Sequence, residues 1–274
     1  MQISPAPLLK VERLAKNFGG VRALNGIDFA LNEGDLVGLI GPNGSGKTTA
    51  FNIVTGILKP SEGRITFGGA DVTGNAPETN AALGMARTFQ NIRLFNDLPV
   101  VDNVMVGLHR KRGPGFLATV LGLRAAARAE AEIRQRAMAV LDILGLSGRA
   151  AERVGGLPYG DQRKVEFARA LASDPRLLLL DEPTAGMNPY ETADLGATIA
   201  RLHRELGITI LLVEHDMKMV MGICQRLVVI NQGNMLAQGT PAEIRADQRV
   251  VEAYLGHGRK GGRQRGPEDV HAVG

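Results

Sequence analysis

The sequence predicts an α/β fold with a mostly parallel sheet, an N-terminal antiparallel β part and an inserted α-helical lobe. Three observations predict it. The apolar run "DLVGLI" (35–40) leads directly into the glycine-rich turn "GPNGSGKTT" and then into a helical stretch. The runs "RLLLLD" (176–181), "ITILLVEH" (208–215) and "RLVVI" (226–230) are continuously apolar, as in parallel strands covered on both faces. Between about residues 97 and 150 the texture is helical, dominated by alanine, arginine and leucine.

In the N-terminal third, "RALNGIDFALNEGDLVGLI" and "GRITFGGADVTG" read as short strands joined by tight glycine turns. "TTAFNIVTGI" reads as a helix, and "KPSEG" breaks the pattern. In the middle, "RAAARAEAEIRQRAMAVLDILG" puts Ile133, Ala137, Val140, Leu141 and Leu144 on one helical face, with Gly145 as its stop. Farther on, "VEFARALAS" is helical, and "ETADLGATIARLHREL" carries Leu195, Ile199, Leu202 and Leu206 on one stripe before Gly207. The stretch 257–274 is rich in glycine and charge and reads as a disordered tail, whose basic segment 259–265 reads as a solvated end in preference to a contact for lipid headgroups. There are no internal repeats.

The chain has 274 residues, enough to bury a substantial core, with 44% hydrophobic and 22% charged residues. A net charge of +4 and only 4% aromatic residues argue against base-stacking recognition of nucleic acid. The single Cys224 excludes an internal disulfide and fits a reducing compartment. The N-terminus lacks the pattern of a signal peptide, and no run is long enough to span a membrane. The expectation is a chain soluble by itself whose membrane role, if it has one, comes through partners.

The stretch Gly41, Pro42, Asn43, Gly44, Ser45, Gly46, Lys47, Thr48 matches G-x-x-x-x-G-K-[ST] at every fixed position, with Thr49 following. Glycines let the backbone wrap closely around oxygens with N–H groups turned inward. Lys47 places a point charge on the terminal phosphates, and Thr48 offers a hydroxyl to Mg²⁺. The match follows a buried strand and opens a helix, which is the context that identifies a P-loop NTPase core. The run "LLLLDE" ends on Asp181 and Glu182. At a strand end beside such a cradle, Asp181 can hold Mg²⁺ through water, and Glu182 can orient or deprotonate an attacking water. Taken singly, Phe18, Gln90 and His215, which closes the strand "ILLVEH", are ordinary structural residues.

Together these pieces resemble the ATP-binding subunit of ABC transporters, over about residues 8–256. The resemblance implies a core of about 8–92 and 158–256 and a helical lobe of about 93–157. It makes Gly41–Thr48 the Walker A motif and Asp181 with Glu182 the end of Walker B. Gln90 becomes the Q-loop residue and a further Mg²⁺ ligand, His215 the switch histidine that senses the γ-phosphate, and Phe18 the aromatic that stacks on adenine. "AGMNP" (185–189) occupies the D-loop. "LPYGDQ" (157–162) stands where the family has its LSGGQ signature, which closes the ATP site of a facing subunit; this assigns Tyr159, Gly160 and Asp161 to nucleotide binding. The departures are Pro158 for the usual serine, Tyr159 for a glycine, Asp161 for the glutamine and Asn188 for the D-loop aspartate.

Those departures are similar to the pattern of branched-chain amino-acid importers, as are "ARTFQNIRLF", "EHDMKMVMGICQRLVVINQG" and "VEAYLG". The resemblance therefore implies the larger ATPase subunit of such an importer, binding ATP and Mg²⁺ at the cytoplasmic face of the cell membrane. Its implied partners are two transmembrane permease subunits, a second ATP-binding subunit (a heterodimer favoured over a homodimer) and an extracytoplasmic amino-acid-binding protein. The segment "GPGFLATVLGL" (113–123) offers apolar surface toward the membrane or the core. Three alternatives stand beside it. The ATPase of a lipopolysaccharide-export complex would be favoured by a serine-bearing signature. A soluble ABC ATPase would carry two ATP domains or a coiled-coil insertion. A GTP switch or nucleotide kinase would need no signature turn, and no N-K-x-D motif is present.

Overall fold

The computed structural model of the protein describes residues 6–88, 92–112 and 124–255. Gln90, the segment 113–123 and the tail 257–274 lie outside the described residues.

The chain opens with two long antiparallel strands, β1 (Leu9–Phe18) and β2 (Val21–Leu31), followed by β3 (Leu36–Ile40), helix α1 (Lys47–Val54), β4 (Glu62–Phe67) and β5 (Ala70–Asp71). Strands β2, β1, β4 and β5 form an antiparallel sheet in that order, as the short glycine connections require. β4 begins inside the segment read as a break. Gly63 takes a φ of +98° there, and an added Cβ would meet the Arg13 carbonyl oxygen at 2.5 Å. Only glycine fits a position of that kind.

The second sheet is the frame of the molecule. After α2 (Pro77–Ala82) it takes in β6 (Met85–Arg87), β7 (Leu177–Asp181), β8 (Thr209–Val213), β9 (Arg226–Asn231) and β10 (Asn234–Gly239). Its order is β10-β9-β3-β8-β7-β6, parallel throughout except for the β9–β10 hairpin. Both faces are covered, and this is why its strands lack polar alternation. Val37, Leu39, Leu177, Leu179, Leu211 and Val213 pack with α1 and the antiparallel sheet. The alternate residues Leu36, Ile40, Leu178, Leu180, Ile210 and Leu212 pack with the helices of the other face.

The helical lobe comprises α3 (Val100–Arg112) and α4 (Arg124–Ile143), and the chain leaves it through short 3-10 turns into α5 (Tyr159–Ala172). Its entry and exit are bound side by side: Val100 N–H donates to Glu152 O, Val154 N–H to Leu98 O and Gly155 N–H to Asn96 O. Ile133, Ala137, Leu141 and Leu144 are buried, Val140 is half-buried, and Gly145 follows α4 with φ +71°. Downstream, α6 (Pro189–Leu206) ends at Gly207 and buries Leu195, Ile199 and Leu202. Leu206 departs from expectation: it is the last residue of the helix before Gly207 and is 47% exposed. The fold closes with α7 (Met217–Ile223), α8 (Pro241–Ala246) and α9 (Gln248–Leu255).

Candidate active site

The register of the parallel sheet assembles the site. Leu39 and Asp181 both pair with Val213, so β3, β8 and β7 end at one level and their carboxyl-terminal extensions leave the sheet side by side. These extensions are the loop 41–46, the residues Glu214–Asp216 and the segment Glu182–Asn188. Ligands of open α/β sheets bind at such carboxyl ends.

The loop is shaped for an anion. An added Cβ at Gly41 would lie 2.0 Å from the Ile230 carbonyl oxygen, so only glycine fits between β3 and β9. Gly46 caps α1 in the left-handed region, with no side-chain cap and no acidic residue in the first turn. The first N–H groups of the helix therefore keep their positive end for a ligand. The Ser45 hydroxyl is buried without a hydrogen-bond partner among the described residues, and Ser45 O accepts from Gly233 N–H at 2.9 Å, which braces the loop on the β9–β10 turn. Lys47 is 6% exposed and donates to the carbonyls of Gly41 (2.8 Å) and Pro42 (3.0 Å). Burial holds its ammonium below the usual lysine range, and the negative charge of Glu182 partly offsets that. A buried cation, an orphaned hydroxyl and an uncapped helix start fit a phosphate group.

Asp181 ends β7 on the face that carries Leu177 and Leu179, toward α1. Its Oδ2 accepts from Arg87 at 2.6 Å, a pair only 12% and 7% exposed. Sequence reasoning missed Arg87. The available signal was Met85, two residues earlier on the same face of β6 and buried against α1. Glu182 leaves the strand at φ +43°, in the left-handed region that non-glycine residues rarely occupy. Its N–H donates to Val213 O at 2.9 Å, and its O accepts from Ala185 N–H at 3.1 Å.

His215 does not end its strand as expected; β8 stops at Val213. The reason is Glu214, which is fully buried and gathers donors from its own turn and from the segment after Glu182. It accepts from the N–H groups of Thr184 (2.9 Å), His215 (2.8 Å) and Asp216 (3.2 Å), and from the Thr184 hydroxyl. This carboxylate ties the segment after Glu182 to the turn that carries His215, and it too escaped the sequence reading. The His215 side chain is 60% exposed, with Nδ1 3.5 Å from Glu214 Oε2.

The stretch 157–162 enters α5 with Pro158 as its N-cap and no side-chain cap. Gly160 has room around it: an added Cβ would meet nothing nearer than Glu191 at 3.8 Å. Tyr159 and Asp161 are engaged within the chain. The Tyr159 hydroxyl donates to Ala185 O and accepts from Arg163, each at 3.1 Å. Arg163, 1% exposed, also donates to Glu166 at 3.0 Å. Asp161 pairs with Arg149 at 3.0 Å. Asn188 caps α6 in a reciprocal box with Glu191, a task that asparagine and aspartate perform equally. Phe18 lies 46% exposed at the end of β1, with the Lys16 ammonium 5.2 Å from its ring centre. Of the residues expected in the site, the structure thus gathers those of 41–49, Asp181, Glu182 and the turn bearing His215 at one end of the sheet.

The chain is similar to known proteins over most of its length. Residues 24–185 match the model of the ABC transporter family, and residues 234–260 match that of the branched-chain amino acid ATP-binding cassette transporter. The chain is 46% identical over 250 residues to the high-affinity branched-chain amino acid transport ATP-binding protein LivG of Salmonella typhimurium, covering 91% of this chain and 98% of that one. It is 34% identical to the lipopolysaccharide export system ATP-binding protein LptB of Escherichia coli, covering 90% and 97%. Among solved structures, the ADP conformation of MJ1267, an ATP-binding cassette of an ABC transporter, superposes with a TM-score of 0.80 at 32% identity, covering 92% of this chain and all of that one.

Proposed function

The chain belongs to the ABC transporter ATP-binding family, and from that premise we propose that it is the ATP-hydrolysing subunit of an importer of branched-chain or related amino acids. The observation that carries this reading is the pairing of a complete phosphate cradle with a carboxyl-terminal segment, 234–260, that matches the branched-chain amino acid cassette model. That segment, the wider identity to LivG and the lack of a signature serine at Pro158 favour the importer over lipopolysaccharide export.

In this reading Lys47, the Ser45 hydroxyl and the first N–H groups of α1 bind the phosphates of ATP, and Phe18 stacks on the adenine. Thr48, Asp181 and Gln90 would hold Mg²⁺, their oxygen donors being of the kind that suits a hard cation. Bound Mg²⁺ supplies charge neutralisation on the phosphoryl oxygens. Glu182 orients the attacking water and takes its proton, and His215 reads the γ-phosphate. The uncapped start of α5 at Gly160 faces the nucleotide of a second ATP-binding subunit, which differs from this chain.

No helix among the described residues is long and apolar enough to cross a membrane. We infer that two permease subunits supply the membrane path and that the chain sits on their cytoplasmic face, with an extracytoplasmic binding protein delivering the substrate. A cleft of about 660 Å³ supports this reading. Its walls include Ile57, Met85, Phe95, Val106 and Arg169, from the core and the helical lobe, and both parts would move a docked permease segment. Affinity capture of the Glu182→Gln variant from native membranes with ATP tests the assembly. Two multi-span proteins and a second, distinct ATPase are expected, and recovery of no membrane protein overturns the proposal.

A further inference from the structure

We propose that Arg87 is a positioning residue for Asp181: it orients the carboxylate that faces the metal, and its effect on nucleotide binding depends on that metal. The inference rests on the reading of Asp181 as a Mg²⁺ ligand given above.

The guanidinium of Arg87 is held through both of its terminal nitrogens and by a ring against its face. Nη2 donates to Asp181 Oδ2 at 2.6 Å. Nη1 donates to Asn52 Oδ1 at 2.7 Å and to Thr55 Oγ1 at 3.0 Å. The face of the group lies 4.8 Å from the centre of the Phe51 ring. Apart from Asp181, these partners stand on α1 or directly at its end, the helix that opens from the phosphate cradle. A planar fork fixed on one side by a helix presents its other side in one orientation, which a flexible ammonium would not do.

The placement follows from strand alternation. Met85 and Arg87 share one face of β6, and Leu177, Leu179 and Asp181 share the same face of β7. The strands pair with Arg87 opposite Leu179, so the arginine reaches forward along the sheet to the carboxylate at its end. Arg87 also stands three residues before Gln90, so one cation joins the cradle helix, the acidic strand end and the strand that leads toward Gln90.

Two effects compete at Asp181. A neighbouring cation repels a metal ion, whereas an anchored partner fixes the direction in which the carboxylate points. A carboxylate has room for several partners, and the Arg87 bond occupies Oδ2 alone. Oδ1 makes no hydrogen bond among the described residues. Orientation therefore wins: Arg87 acts as the outer partner of a metal-facing ligand, where substitution weakens metal affinity about 10- to 100-fold.

The test is binding of the non-hydrolysable analogue adenosine 5′-(β,γ-imido)triphosphate to the full chain, once with excess MgCl₂ and once with EDTA. Arg87→Met is expected to weaken binding about 10-fold with Mg²⁺ and to leave binding in EDTA unchanged. Asn52→Ala, which keeps the charge pair but removes an anchor, is expected to shift the same ratio in the same direction by less, and it serves if Arg87→Met does not fold. Equal loss in both conditions would make Arg87 a structural brace, and tighter binding with Mg²⁺ would make it a competitor; either overturns the proposal. Failure of the unsubstituted chain to bind the analogue in either condition would instead overturn the ATPase reading, and this inference with it.

Discussion

The hydroxyl of Tyr159 donates a hydrogen bond to the carbonyl of Ala185 at 3.1 Å, joining the first residue of α5 to the loop that follows Glu182. The same oxygen accepts from the buried Arg163, which in turn donates to Glu166. Tyr159 was assigned to a partner's nucleotide by resemblance, yet its polar atom is committed within its own chain. It makes the start of α5 and the segment after the acidic strand end one connected unit. Tyr159→Phe is expected to cost about 1–2 kcal/mol, because it deprives a buried guanidinium of a partner while keeping the ring. Urea unfolding with an unchanged m-value checks this, and an unaltered midpoint would show that the relay contributes nothing.

Glu214 makes a second such tie. Its fully buried carboxylate gathers amide donors from Thr184, His215 and Asp216. Glu214→Ala leaves those amides without their acceptor, so a loss of about 3 kcal/mol or more is expected. Thr184→Val removes only the hydroxyl bond and is expected to cost about 1 kcal/mol. Denaturant unfolding of both variants separates the two magnitudes, and equal effects would contradict the described network.

Cys224 is 6% exposed, and burial pushes its thiol pKa up to about 12. It is expected to resist a thiol-specific reagent in the native protein and to react fully once denaturant is added. The sign of the linkage follows from the raised value. Between the ordinary thiol pKa and about 12 the unfolded chain releases a proton that the folded chain keeps, so this group's contribution to stability falls as pH rises. Rapid labelling of the folded protein at neutral pH would show that the site opens locally.

Burial lowers the pKa of Lys47, and a bound phosphate, which favours the ammonium, acts in the opposite direction. ATP affinity is therefore expected to decline with rising pH before the ordinary lysine pKa of 10.5 is reached, with proton uptake on binding in that window. Calorimetric titration in buffers of different ionisation enthalpy reads the uptake directly. Its absence throughout the alkaline range would mean that the ammonium is fully charged before ATP binds.

What was legible in the sequence was what short-range pattern encodes. The continuous apolar runs announced strands covered on both faces, and "GPNGSGKTT" announced the anion loop because its spacing is local. The ties that hold the site together were not legible. Arg87 reaches Asp181 across 94 positions, Thr184 reaches Glu214 across 30, and Tyr159 reaches Ala185 across 26. In each case an ordinary polar residue takes its meaning from strand order and register, which single-sequence periodicity does not supply. The end of β8 was misplaced for the same reason, since the donors gathered by Glu214 are visible only in the fold.

The central claim is tested most directly by uptake of radiolabelled leucine in cells that lack this chain but keep the rest of its transport system. Uptake is expected to be restored by the unsubstituted chain and abolished with Glu182→Gln, which leaves the residues of the phosphate cradle in place and removes the carboxylate proposed to accept the proton of water. Uptake that is indifferent to the chain, or restored equally by Glu182→Gln, would contradict the account.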